Sequence, residues 1–260
     1  MTDAALDYIP SLINAYQAGH ASDHVHLGLW EQGSAHDWRG AQEAMTDEHL
    51  NALDLRDAQT VIDIGCGIGG SLRLVNERLA DSRLVGVNID PRQLTVCQTH
   101  TATCGNQFDW LQCDAGAVPL DDHSADRILS LEAMFHFPSR QVFLSETARL
   151  LRPHGLLVCS DIVFGNPRTD REARLLEVVQ QGYAPWPQPV LHIDKTIQMA
   201  HNAGLTLRRV RDLSANIMPT WDHIVSTRDD PKRSPVAAMR DLHHAGLLQY
   251  PMFIFERYPE

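Results

Sequence analysis

The segment Val61-Ile62-Asp63-Ile64-Gly65-Cys66-Gly67-Ile68-Gly69-Gly70 constrains this chain more than any other stretch. Branched apolar residues around one acid suit a buried strand. Glycines then replace side chains for half a turn, and a Leu- and Arg-containing run follows. The pattern predicts a strand over 61–64, a tight turn, and a helix over 71–79. Glycine adopts backbone angles closed to other residues and lets a ligand lie against bare main chain. At the carboxyl edge of an open α/β sheet, such a turn is a binding site.

The segments downstream keep the same rhythm. Strands are expected at 83–89, 108–112, 125–131 and 156–163, with helices opening at Pro91 and covering 139–151. Pro153-His154-Gly155 reads as a turn before the fifth strand. A helix over 196–203 can end at Gly204, strands are expected at 205–212 and 251–258, and 221–246 reads as mostly helical with a break near Asp230-Pro231. Alternation of this kind predicts an α/β fold: a Rossmann-like, seven-stranded, mostly parallel sheet with helices on both faces. Residues 1–56 read as an N-terminal helical lid, with Leu6, Ile9, Leu12, Ile13 and Tyr16 at helical spacing. Residues 57–260 read as the core, with an insertion after strand five at about 165–192 and a helical segment at about 220–246.

Composition narrows the partners. The formal net charge is -11 in 260 residues. A nucleic-acid binder carries a basic stripe that neutralises phosphates. The densest basic cluster here, Arg208-Arg209-Val210-Arg211, reads as a solvated strand edge. No nucleic-acid or membrane partner is expected, the location is expected to be cytoplasmic, and the chain to be a monomer or homodimer. The five cysteines (Cys66, Cys97, Cys104, Cys113, Cys159) lack metal spacing and read as reduced thiols. No metal site is expected.

Polar residues recur at the expected strand ends: Asn88 and Gln93 after strand two, Asp114 after strand three. Three consecutive strand ends with hydrogen-bonding groups suit a nucleoside better than packing. A dinucleotide is disfavoured because Asp63, just before the turn, would repel a pyrophosphate. A ligand with an ammonium and a sulfonium is better tolerated.

With these motifs in view, the chain resembles the class I S-adenosylmethionine-dependent methyltransferases. The resemblance rests on 61–70, Val87-Asn88-Ile89-Asp90-Pro91-Arg92-Gln93, Asp114-Ala115, Leu131-Glu132-Ala133-Met134-Phe135-His136, and 148–155. It is most similar to the small-molecule subgroup that includes natural-product sugar O-methyltransferases and tocopherol, sterol and cyclopropane-forming enzymes. His24-Val25-His26-Leu27-Gly28-Leu29-Trp30 resembles that subgroup's cofactor-covering segment. The resemblance implies S-adenosylmethionine as cofactor, with S-adenosylhomocysteine as product. It implies cofactor contacts from Trp30, Asp63, Gly65, Gly67, Asn88, Gln93, Asp114, Ala115 and the Leu131 carbonyl. Asn88 stands where many relatives carry an acid for the ribose, which weakens that contact.

Methyl transfer needs alignment, exclusion of water and, for a hydroxyl nucleophile, a base. The candidates are His136, close to the expected methyl group, and Asp161, expected in strand five; Asp161 could orient His136 or act as the base itself, and the resemblance implies that a His and an Asp at these two places are the bases. Glu132 could orient the cofactor end. Each has a structural reading too: a histidine packed between Phe135 and Phe137, an acid held by a hydrogen bond. Tyr16, Phe135, Trp186, His192 and Trp221 are candidate acceptor-pocket residues. The leading expectation is methylation of a hydroxyl on a small, partly hydrophobic natural product. C-methylation of an isoprenoid or polyketide carbon and N-methylation of a small amine are alternatives. An interaction module without catalysis fits the intact cofactor motifs poorly.

Overall fold

The computed structural model describes residues 9–31, 37–100, 105–227 and 234–259. Leu6, Cys104 and the expected break at Asp230-Pro231 lie outside them. Strand β1 (Thr60–Ile64) leads through the glycine turn into helix α3 (Gly70–Arg78), then β2 (Arg83–Asn88), α4 (Pro91–His100), β3 (Gln107–Gln112) and β4 (Ala125–Ser130). A 3₁₀ turn at Met134–His136 precedes α5 (Arg140–Leu150) and β5 (Leu151–Ser160). The chain is completed by β6 (Val163–Phe164), α6 (Asp170–Gly182), α7 (Ile193–Asn202), β7 (Leu205–Asp212), α8 (Ser214–Thr227), α9 (Pro235–His244), β8 (Leu248–Gln249) and β9 (Pro251–Arg257). Ahead of the sheet lie α1 (Ile9–Gln17) and α2 (Trp38–Ala52).

Seven strands form one sheet in the order β3-β2-β1-β4-β5-β9-β7. The first five are parallel, and β9 runs antiparallel to both neighbours. From β1 the chain moves outward to β3, then returns to the other side with β4. The order therefore reverses between β1 and β4, and a crevice opens above their carboxyl ends. Two apolar layers flank the sheet. One contains Leu72, Val75, Leu84 and Phe164; the other contains Ile62, Val85, Phe143 and Phe255. Apolar residues on both sides of β1 and β2 explain why these strands read as continuous hydrophobic runs.

Local chemistry accounts for several boundaries. Ser139 and Thr169 cap α5 and α6 with their hydroxyls, and Glu172 completes a capping box on α6. Gly204, at φ +87°, follows α7 as expected. The basic cluster lies on the edge strand β7, where Arg208 pairs with Glu256 and Arg211 with Glu48.

Three expectations need correction. Pro153-His154-Gly155 does not precede strand five but lies within it as a bulge. The register passes from Ala125↔Leu151 to Arg127↔Leu156, and His154 takes φ +65°. Strand five ends at Ser160, so Asp161 falls between strands, and Val163–Phe164 pairs instead with Leu248–Gln249 in a second, two-stranded sheet. The late helical segment starts at Ser214, seven residues earlier than its apolar pattern suggested, because Pro219 inside α8 masks the helical signal. Among the described residues, no helix is long and apolar enough to cross a membrane.

Gly86 in β2 faces Trp110 of β3 in register. A Cβ at Gly86 would lie 2.2 Å from the indole, and one at Gly69 would lie 3.4 Å from it. The indole thus fills the space under the glycine turn. Gly86→Ala should destabilise the protein by about 1–3 kcal/mol through overpacking, read as a lower urea midpoint with an unchanged slope. A midpoint equal to the parent's would contradict this account.

Candidate active site at the carboxyl edge of the sheet

A cavity of about 620 Å³ opens above β1, β2 and β4. Its floor is the glycine turn. Gly65, Gly67 and Gly69 take φ of +85°, +55° and +93°, angles that side chains rarely adopt. The Val87 carbonyl accepts from Gly65 N–H at 2.8 Å and Cys66 N–H at 3.1 Å, tying the turn to the end of β2. A Cβ on Gly65 would lie 2.4 Å from the Ala133 methyl group. A side chain there would collide with the chain leaving β4.

Polar groups converge on this floor. Asp63 is buried and lines the cavity, and burial pushes its carboxyl up to about 7. Asn88 donates from Nδ2 to the Gly67 carbonyl at 3.2 Å and to Gln93 Oε1 at 3.0 Å; its Oδ1 accepts from Asp90 N–H. Asn88 therefore braces the turn itself. Asp90 is held by Arg92 at 2.5 Å. Asp114 accepts from Gly116 N–H through Oδ1, and Ala115 and Leu131 complete this side of the wall.

The segment over the cavity is pinned from several elements. Gln42 Nε2 donates to the carbonyls of His24 and His26 at 2.9 and 2.8 Å. Asp23 pairs with Arg73 at 2.5 Å. Glu132 Oε2 accepts from Leu27 N–H at 3.0 Å and from the Tyr250 hydroxyl at 2.9 Å. Residues 23–26, together with Ile9, line the cavity. Phe135, His136, Phe137, Pro138, Tyr183 and Pro185 form a further part of the wall. His136 Nδ1 bonds to the Pro185 carbonyl at 2.9 Å, and burial lowers its pKa.

Ten of the expected site residues thus meet in one cavity: Asp63, Gly65, Gly67, Asn88, Gln93, Asp114, Ala115, Leu131, Phe135 and His136. Six do not line it. Trp30 donates its indole N–H to Thr220 and supports the covering segment from behind. Trp186 is buried against Phe135, with ring centroids 4.4 Å apart, and so backs the wall. Trp221 is a core residue whose N–H donates to His243. His192 stands at the start of α7, and Tyr16 lies on α1. Asp161 is fully buried: its Oδ2 accepts from Arg140 Nε at 2.6 Å and its Oδ1 from Ile162 N–H at 3.0 Å. Burial forces that carboxylate onto a cation, which takes it out of the cavity. Arg140 also donates to the Gln188 carbonyl, steadying the chain beyond Pro185.

Two important groups escaped the sequence reading. Tyr250 precedes β9 with no motif around it, and Arg140 opens a helix like any surface arginine. Both act only through tertiary contacts.

The donor set suits a cationic nucleoside. Asp23, Asp63, Asp90, Asp114 and Glu132 supply five carboxyl groups, Asp23 paired with Arg73, while Arg92, the single Arg or Lys among the described lining residues, is paired with Asp90. A pyrophosphate would be repelled; a sulfonium and an ammonium would be attracted.

Comparison with known proteins agrees. A methyltransferase-domain family profile matches residues 62–159. The chain is 30% identical over 213 residues to methyltransferase GfsG of Streptomyces halstedii, covering 80% of this chain and 75% of that one. It is 27% identical to 27-O-demethylrifamycin SV methyltransferase of Amycolatopsis mediterranei, covering 76% and 72%. The cyclopropane synthase MmaA2 from Mycobacterium tuberculosis shares the fold with a TM-score of 0.77 at 21% identity, covering 90% of each chain. The protein belongs to the class I S-adenosylmethionine-dependent methyltransferases. It is an enzyme that uses S-adenosylmethionine and acts on a small, partly hydrophobic metabolite.

The raised carboxyl of Asp63 has a consequence for stability. The folded state retains its proton between the ordinary carboxylate range and about 7, whereas the unfolded state has lost it. Asp63 therefore contributes less to stability as pH rises through that window. Asp63→Asn should gain stability relative to the parent between pH 5 and pH 8, measured by denaturation at both values. A difference that does not change with pH would contradict the assignment.

Proposed function

We propose that the enzyme methylates a hydroxyl group of a small, partly apolar natural product, with His136 as the base. The observation that carries this reading is the bond from His136 Nδ1 to the Pro185 carbonyl. A carbonyl only accepts, so Nδ1 holds the ring proton and Nε2 is the basic nitrogen. Burial keeps the ring neutral at pH 7, ready to accept. Phe135, Phe137 and Tyr183 suit an apolar acceptor body, and among the described residues the lining offers no Lys and only a paired Arg for an anionic one.

In this reading Gly65, Gly67 and Asp63 would hold the amino-acid end of the cofactor, Gln93 its ribose, Asp114 and Ala115 its adenine, and the Leu131 carbonyl its sulfonium end. When bound, the cofactor supplies an electrophilic methyl group on a sulfonium. His136 Nε2 takes the hydroxyl proton as the acceptor oxygen is methylated, and the cofactor would leave as its neutral thioether. Arg140, through Asp161 and the Gln188 carbonyl, positions the 185–188 segment that holds the histidine. Residues 1–56 serve as a lid, and 165–192 supplies part of the acceptor wall. The name of the rifamycin relative, which marks a hydroxyl on a natural product, supports the oxygen assignment.

A labelled-cofactor screen against hydroxyl-bearing natural products tests the activity. With an accepted substrate, His136→Ala should lower kcat by about 10²–10⁴-fold while leaving S-adenosylhomocysteine affinity within about twofold. An unchanged kcat would remove His136 as the base and favour transfer to nitrogen.

A further inference from the structure

Glu132 occupies an unusual position. It follows β4 at φ +54°, a left-handed conformation costly for a residue with a side chain. A closed ring of hydrogen bonds holds it there. Glu132 N–H donates to Ser160 Oγ at 3.1 Å, Ser160 Oγ and Tyr250 Oη lie 3.3 Å apart, and Tyr250 donates back to Glu132 Oε2. Burial pushes the tyrosine far above its ordinary pKa, so its hydroxyl stays protonated and donates. Leu27 N–H, from the covering segment, donates to the same Oε2. Both bonds therefore use one carboxylate oxygen, and a proton on this carboxyl belongs on Oε1. The residue that carries Oε1 lines the cavity beside Leu131.

We propose that Glu132 reads the charge of the cofactor: with a cationic sulfur centre in the cavity it is a carboxylate that holds the covering segment through Leu27, and with the neutral thioether product it is a carboxylic acid that holds it less firmly. This rests on the reading that the cofactor's sulfur lies at the Leu131 end of the cavity. Burial pushes the Glu132 carboxyl up to about 7, so it is poised between the two forms near neutral pH. Bonds to a carboxylate are shorter and about twice as strong as bonds to a neutral acid. Loss of the positive charge on methyl transfer thus loosens the Leu27 contact when the product has to leave. The titratable groups that act on it are Tyr250 and Asp161, the latter paired with Arg140, and Asp63, His136 and His26 of the covering segment line the same cavity. Asp161 opposes ionisation of Glu132, and His26 is held neutral by burial. Asp63 meets the same ammonium in cofactor and product and does not distinguish them.

Calorimetric titration in two buffers of different ionisation enthalpy tests this. The ligands are sinefungin, which carries an amine cation in place of the sulfonium, and S-adenosylhomocysteine. At pH 7 the parent enzyme should release between about half a proton and one proton more with sinefungin than with S-adenosylhomocysteine. At pH 8.5, where Glu132 is already charged, that excess should vanish, a readout that needs no variant. Glu132→Gln keeps an acceptor for Leu27 but no charge. It should remove the excess release and weaken sinefungin by about tenfold or more, with S-adenosylhomocysteine within about twofold. Leu27 amide exchange should be slower with sinefungin than with S-adenosylhomocysteine in the parent only. Equal proton release for both ligands at pH 7, or the same sinefungin preference in Glu132→Gln, would overturn the proposal. Failure of both ligands to bind the parent would instead overturn the cofactor reading beneath it.

Discussion

The Val87 carbonyl, accepting two amide hydrogens from the glycine turn, is the contact on which the site depends. It joins the end of β1 to the end of β2 while the backbone at Gly65 and Gly67 turns left-handed. The chain can then enter α3 without filling the crevice above. Trp110 supports the turn from below through the space left by Gly86, and Asn88 braces it from the side through the Gly67 carbonyl. Every cavity wall is referenced to this floor. The Ala133 methyl group sits where a side chain at Gly65 would be, and Glu132 and His136 follow from that position.

The strand-turn-helix core was legible because its determinants are local. Apolar runs mark buried strands, glycines mark left-handed turns, and serine, threonine and proline mark helix starts. The polar strand ends, Asn88, Gln93 and Asp114, were legible for the same reason: topology brings every parallel strand end to one edge. Asn88 shows the limit of such reading. Its position at the strand end was clear, but its side chain serves the turn and Gln93.

The less legible parts depend on contacts distant in sequence. Asp161 and His136 looked like a working pair because the resemblance implies a His and an Asp at these two places. Arg140, 21 positions before the acid, takes its carboxylate into the interior. Trp186 and Trp221 carried aromatic signals that fit a pocket and fit a core equally; burial and ring contacts make them core. Tyr250, 118 positions from Glu132, carries no motif, yet it completes the hydrogen-bond ring around that carboxyl.

Charge runs through the whole account. The cavity collects carboxyl groups, raises the carboxyl pKa of Asp63 and Glu132 by burial, and offers, among the described residues, a single arginine already paired with Asp90. Such a site suits a cationic cofactor, while burial keeps the basic histidine neutral. The most direct test of this arrangement is a crystal structure with S-adenosylhomocysteine bound. The amino-acid end should lie over Gly65 and Gly67, the adenine at Asp114 and Ala115, and the sulfur should face the side of the cavity that holds Leu131, Glu132 and His136. A ligand seated with its sulfur turned away from His136, or bound outside the crevice between β1 and β4, would contradict it.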